Sequence, residues 1–69
     1  MKVIFAERLQ QLRKEADLTQ AQLADILSTA QRRISYFESG KIEPDLLTLW
    51  KIADFFDCSI DDLIGRKEY

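Results

Sequence analysis

The sequence predicts an all-α protein, a compact single domain of five helices spanning residues 1–69. Three observations lead there. Apolar residues recur at three- and four-residue spacings in five separate stretches, the period of one helix face. Residues that start and stop helices punctuate those stretches in the correct order. Period-two alternation, the mark of a half-buried strand, never persists. A chain of 69 residues has room for one small core, since short chains bury proportionately less of their surface. No internal repeat, low-complexity tract or linker divides it.

A first helix runs from about Val3 or Ile4 to Glu15, with Phe5, Leu9, Leu12 and Ala16 on its inner face and Arg8, Gln11, Lys14 and Glu15 opposite. Asp17 stands where the chain needs a left-handed residue, a place that favours Gly or Asn. Thr19 reads as the N-cap of the second helix, and Gln22, three residues on, completes a capping box. Leu23, Ala24, Ile26 and Leu27 form its buried stripe. Ser28-Thr29-Ala30 is the break before a third helix, Gln31 to Glu38, which turns Ile34 and Phe37 inward. Gly40 ends it without a Cβ penalty, so residues 41–44 form a loop.

Asp45 is placed to cap a fourth helix reaching about Phe56, with Leu46, Leu49, Ile52, Ala53 and Phe56 on the core arc. Leu47 and Phe55 fall off that arc and Trp50 lies at its edge. Partial burial under the C-terminal tail is the default expectation for them, and self-association the alternative. Ser59 caps a short fifth helix containing Ile60, Leu63 and Ile64. Asp61 and Asp62 sit near its positive end, and Gly65 closes it.

Composition narrows the function classes. An apolar fraction of 46% beside 32% charged residues is that of a folded globular chain. Met1 to Ala6 resembles the start of a signal peptide, but Glu7 and Arg8 end the apolar run, and no stretch approaches membrane-spanning length. The expectation is a cytoplasmic protein without a membrane partner. Cys58 is the single cysteine and there is no histidine, so neither an internal disulfide nor the usual zinc sets can form within one chain. Cys58 reads as a small buried hydrophobe. Without histidine, a Gly-rich phosphate loop or a spaced carboxylate cluster, the chain lacks a catalytic set. No enzyme activity, cofactor, metal or small-molecule substrate is expected.

The net charge of −2 divides unevenly. Residues 1–41 carry seven Lys/Arg and five Asp/Glu, and residues 42–69 carry three and seven, giving +2 and −4. A basic half carrying a reader and an acidic half facing elsewhere is compatible with nucleic-acid binding, because local field outweighs total charge. Acidic solvation of the second half explains the split equally well.

On a wheel of about 100° per residue, Arg32 and Tyr36 point away from the arc of Ile34, Phe37 and Glu38. Ser35 and Arg33 flank that outward edge and Gln31 lies at its N-terminal tip. Such an edge has the donors a major groove requires: Arg for guanine, Gln for adenine, Tyr for phosphate or the thymine methyl. On residue types alone, an ordinary solvated face accounts for them as well.

The segment Leu18 to Gly40 resembles the bihelical core of the Xre/Cro family of helix-turn-helix regulators. The resemblance rests on Leu18-Thr19-Gln20, Ala24, Ile34-Ser35, the run Phe37-Glu38-Ser39-Gly40 and the later Pro44, all at matching spacings. With Leu12-Arg13 and Asp62-Leu63 it extends from Phe5 to Gly65. It implies a lambda-repressor-like fold whose second and third helices form the motif. It also implies base-reading roles for Gln31, Arg32 and Tyr36, and phosphate contacts at Gln20, Arg33 and Lys41. Gln20 has a further argument, since at the first turn of a helix its amide and the free backbone N–H groups can share one phosphate oxygen; helix-compatible filler is the plain alternative. The resemblance also pairs Arg13 with Glu38, which would clamp the third helix to the first; otherwise they are two solvated surface charges.

This sequence departs from the family pattern at the turn. Ser28 replaces the usual Gly, Thr29 the apolar turn residue, and Ala30 the polar N-cap. Ala cannot accept the capping hydrogen bond, so Thr29 is a candidate to cap instead and shift the helix start by one residue. The function implied is a sequence-specific transcriptional regulator, a repressor binding double-stranded DNA at a pseudo-palindromic operator as a homodimer through the second half of the chain. The competing reading is a protein-interaction module of the same fold, such as an antitoxin or a regulator's antagonist, which fold alone does not separate.

Overall fold

The computed structural model describes residues 4–66 and contains five helices in order: α1 (Phe5–Glu15), α2 (Gln20–Ile26), α3 (Gln31–Ser39), α4 (Leu46–Phe55) and α5 (Ile60–Ile64). No strand occurs among the described residues. The extents are 35 × 24 × 21 Å. α3 packs against both α1 and α2, while α5 packs against α1 and α4.

All five helices stop in the same way. A residue with positive φ follows each one: Asp17 (57°), Ser28 (55°), Gly40 (79°), Asp57 (54°) and Gly65 (76°). The next backbone N–H then donates to a carbonyl five residues back, as Leu18 does to Arg13 (3.1 Å), Thr29 to Ala24 (2.9 Å), Lys41 to Tyr36 (2.9 Å), Cys58 to Ala53 (3.0 Å) and Arg66 to Asp61 (2.9 Å). These Schellman-type closures satisfy carbonyls that a helix end would otherwise leave open. Three of the five use Asp or Ser where Gly would cost less, so the turns carry strain on the order of 1 kcal/mol each. Gly65 has a second reason to be Gly, because a Cβ there would lie 2.5 Å from Cγ1 of Ile4. Ile4 N–H also donates to the Ile64 carbonyl at 3.3 Å, joining the two ends of the described chain.

Helix starts follow the expected signals in part. Thr19 and Gln22 form the full capping box, Thr19 Oγ1 accepting from Gln22 N–H at 3.1 Å and Gln22 Oε1 accepting from Thr19 N–H at 2.8 Å. Ser59 Oγ accepts from Asp62 N–H at 3.0 Å. The expectation that Thr29 caps α3 is corrected: Ala30 holds the N-cap conformation without a side-chain bond, and the helix begins at Gln31 with no shift. Thr29 N–H is already committed to closing α2, which sets the register of the turn. Asp45 occupies the N-cap of α4, yet its carboxylate makes no capping bond.

The core joins Phe5 and Leu9 of α1, Leu23, Ala24 and Leu27 at α2, Ile34 and Phe37 of α3, Leu49, Ile52 and Ala53 of α4 and Leu63 of α5. Phe5 and Phe37 meet edge to face, with centroids 5.8 Å apart and planes at 80°, the arrangement that ring quadrupoles favour. Cys58 packs against this cluster half-buried, and burial pushes its thiol pKa up. Three residues assigned inward by periodicity are exposed. Ala16 lies past the end of α1 as its C-cap, Ile26 ends the last turn of α2, and Leu46, 82% exposed, begins α4 before that helix reaches the core. Leu47, Trp50 and Phe55 are exposed as well; residues 67–69 of the tail expected to cover them lie outside the described residues.

Arg13 fastens α3 in place. Its Nε donates to Glu38 Oε2 at 2.7 Å, its Nη2 to Glu38 Oε1 at 3.1 Å and its Nη1 to the Leu18 carbonyl at 2.7 Å. The side chains are 11% and 3% exposed, and the Glu38 carboxylate holds the Arg13 pKa above its ordinary value. One guanidinium thus links α1, the connector into α2 and the last turn of α3.

Arg13→Ala strands the Glu38 carboxylate and is expected to cost about 3–5 kcal/mol in urea unfolding, while Arg13→Met with Glu38→Leu loses far less. Equal losses in the two variants would contradict a buried pair. At the α2–α3 turn, Ser28→Gly relieves the left-handed backbone and Ala30→Ser supplies the missing cap; each should stabilise by about 1 kcal/mol. That corresponds to a rise in Tm of roughly 4–8 °C in a chain of this size, measurable by calorimetry.

Candidate nucleic-acid interface

The outward side of α3 is built by default, because Ile34 and Phe37 are fully buried and Glu38 is held by Arg13, which leaves the opposite edge to solvent. Gln31 and Arg32 are exposed in its first turn. Ala30 offers no side-chain cap, so no side-chain oxygen at the N-cap competes with an outside acceptor for the first amides of the helix, although Arg33 N–H already donates to the Ala30 carbonyl at 3.0 Å. Tyr36, one turn beyond Arg32, is half-buried, and Lys41 Nζ lies 5.2 Å over its ring. The Lys41 ammonium and the Tyr36 ring therefore meet where the loop leaves the helix.

Gln20 and Arg33 flank that edge with partners of their own. Gln20, the first residue of α2, donates from Nε2 to Glu38 Oε1 at 3.1 Å. That bond orients the amide and leaves its second N–H available. The Glu38 carboxylate therefore accepts from Arg13 twice and from Gln20 once, so the start of α2 and the end of α3 share one anchor. Arg33 stacks its guanidinium carbon 5.1 Å from the centre of the Phe37 ring and donates from Nη2 to Asp45 Oδ1 at 3.2 Å. The Thr48 hydroxyl, together with Arg33, holds the Asp45 carboxyl below the usual carboxylate range.

Two of these contacts are not readable from local sequence. Asp45 lies twelve residues from Arg33 and looks like a routine helix cap; only the placing of α4 beside α3 brings it to the guanidinium. Gln20 meets Glu38 across eighteen residues for a similar reason.

The arrangement can present a row of hydrogen-bond donors and cations along one rigid helix, with a second helix start beside it. That is the chemistry of a surface that grips a polyanion and reads the edges of its bases. No helix of the described residues is long and apolar enough to cross a membrane.

Comparison with known proteins agrees with this geometry. The HTH-type transcriptional activator BcrR of Enterococcus faecalis is 45% identical over 64 residues, which cover 93% of this chain and 31% of that protein. The cryptic phage CTXphi transcriptional repressor RstR of Vibrio cholerae is 43% identical over 60 residues, 87% of this chain and 54% of the relative. The chain thus spans about a third of the first and about half of the second. Among solved structures, the P22 c2 repressor in complex with a synthetic operator superposes with a TM-score of 0.84 at 27% identity, covering 91% of this chain and 96% of that one. Residues 9–63 match the family described as Helix-turn-helix, and the chain belongs to that family, with α2 and α3 as its motif and an Xre/Cro-like architecture around them.

Proposed function

We propose that this chain is the DNA-binding domain of a sequence-specific transcriptional regulator, a repressor that occupies a pseudo-palindromic operator in the cytoplasm as a homodimer. The observation that carries the proposal is the outward edge of α3, where Gln31, Arg32 and Tyr36 project from a helix whose inner face is fixed by Ile34, Phe37 and Glu38. Arg32 suits the two acceptors of guanine, Gln31 the donor and acceptor pair of adenine, and Tyr36 a thymine methyl or a phosphate. Gln20, Arg33 and Lys41 hold the phosphate backbone on either side, which sets the register of the reading helix on the duplex. The names of BcrR and RstR support the transcriptional-regulator reading, and RstR and the operator-bound P22 c2 repressor support repression in particular.

Repression is the outcome that operator occupancy delivers by itself, through exclusion of other proteins from the site. Two reading helices of a dimer sit about one DNA turn apart, roughly 34–36 Å, and a domain of 35 × 24 × 21 Å covers one half-site at that spacing. The dimer surface we assign to α5 with the exposed Leu47, Trp50 and Phe55 of α4.

Selection of bound duplexes from a random pool tests the proposal, and paired half-sites separated by about one turn are expected. An interaction module of the same fold would enrich no sequence and show a flat response to salt. Arg32→Ala should cost about 1–3 kcal/mol on the selected duplex and little on a scrambled one, relaxing preference at one base position. Equal losses on both duplexes would remove Arg32 from the base-reading set.

A further inference from the structure

Among the groups bordering the outward edge of α3, Asp45 opposes the rest. Its carboxylate lies 3.2 Å from Arg33 Nη2, with the two side chains 60% and 40% exposed. It stands at the N-cap of α4 without capping, so its oxygens are not spent on the first-turn amides, where an N-cap side chain usually turns. Arg33 has little freedom to swing clear, because its guanidinium also lies against the ring of Phe37, a fully buried residue. The pair is close to neutral as seen by an approaching polyanion, whereas Arg33 alone would present a full positive charge.

We propose that Asp45 is an affinity-setting residue that competes with DNA phosphate for Arg33, so that the backbone grip of this domain is held below what its cations could supply. The inference rests on the DNA-binding reading above and concerns how that surface is tuned. An ion pair as exposed as this one is weak, so a phosphate that offers a two-pronged contact can displace the carboxylate. The exchange lowers the net gain from Arg33 on every duplex. It also reduces the counterions released on binding, because a guanidinium already neutralised by Asp45 releases fewer of them from the DNA. The base contacts of α3 do not pass through Arg33 and keep their full value, so they carry a larger share of the binding.

The test measures binding of the whole chain to a random-sequence duplex over a range of salt concentrations. Asp45→Asn keeps a side chain accepted at helix N-caps and removes the charge. It should tighten binding by roughly two- to five-fold at moderate salt and steepen the log–log salt slope by up to about 0.9. Arg33→Gln should make the slope shallower, and adding Asp45→Asn to Arg33→Gln should then change slope and affinity clearly less than Asp45→Asn does alone. Unfolding midpoints of the three variants establish that each is folded at the assay temperature. A wild-type slope that Asp45→Asn leaves unchanged overturns the inference. So does an equal effect of Asp45→Asn with and without Arg33, since the carboxylate would then act as a bare charge on the backbone. Wild-type protein that binds no duplex overturns the DNA reading and this inference together, whereas binding that ignores Asp45 overturns this inference alone.

Discussion

A buried carboxylate must be both neutralised and hydrogen-bonded, and Glu38, with its side chain 3% exposed, meets that requirement only when three helices are in place at once. Arg13 arrives from α1 with two bonds, Gln20 from the start of α2 with one, and Arg13 spends a third donor on the Leu18 carbonyl between them. The last turn of α3 therefore cannot rotate about its axis without breaking a charged pair. Hydrophobic contacts at Ile34 and Phe37 resist translation, but apolar packing is non-directional and admits small rotations at little cost. The polar anchor supplies the angular definition of α3 that apolar packing alone leaves open.

The five left-handed helix stops serve the same end. Each turns the chain sharply and closes the open carbonyls of its helix, so helices only five to eleven residues long are joined without long loops. A chain this small has little apolar surface to bury, and short connections limit the entropy lost in ordering them. The strain at Asp17, Ser28 and Asp57 is the cost of making three of these turns with residues other than Gly. It is offset locally, because the bond from Thr29 N–H to the Ala24 carbonyl that closes α2 also sets where α3 begins.

Electrostatics on this domain are arranged at the scale of single contacts. The whole chain is net negative, yet the outward edge of α3 and the loop beyond it gather Arg32, Arg33 and Lys41. Within the Debye length of about 8 Å at physiological salt, neighbouring groups dominate over total charge. The Arg33–Asp45 pair, 3.2 Å apart, sets an acid directly beside one of these cations.

Helix count, helix order and most of the helix ends were legible in the sequence, because these depend on local physics: apolar period, side-chain caps and left-handed stops act within a few residues. Thr19 with Gln22, Ser59, Gly40 and Gly65 are legible for that reason. The exposure of Gln31 and Arg32 is legible too, since Ile34 and Phe37 define the opposite face, whereas Tyr36 is half-buried beside Lys41. Periodicity misled at Ala16, Ile26 and Leu46, which keep the helical phase of core residues but stand at or beyond helix ends where no neighbouring helix covers them. Tertiary structure alone decided what joins separate helices. It brought Gln20 onto Glu38, turned Asp45 from a cap into the partner of Arg33, and began α3 at Gln31 without a side-chain cap. Those outcomes depend on how α1, α2 and α4 pack around α3, and side-chain contacts across twelve to twenty-five residues leave no periodic trace in the chain that makes them.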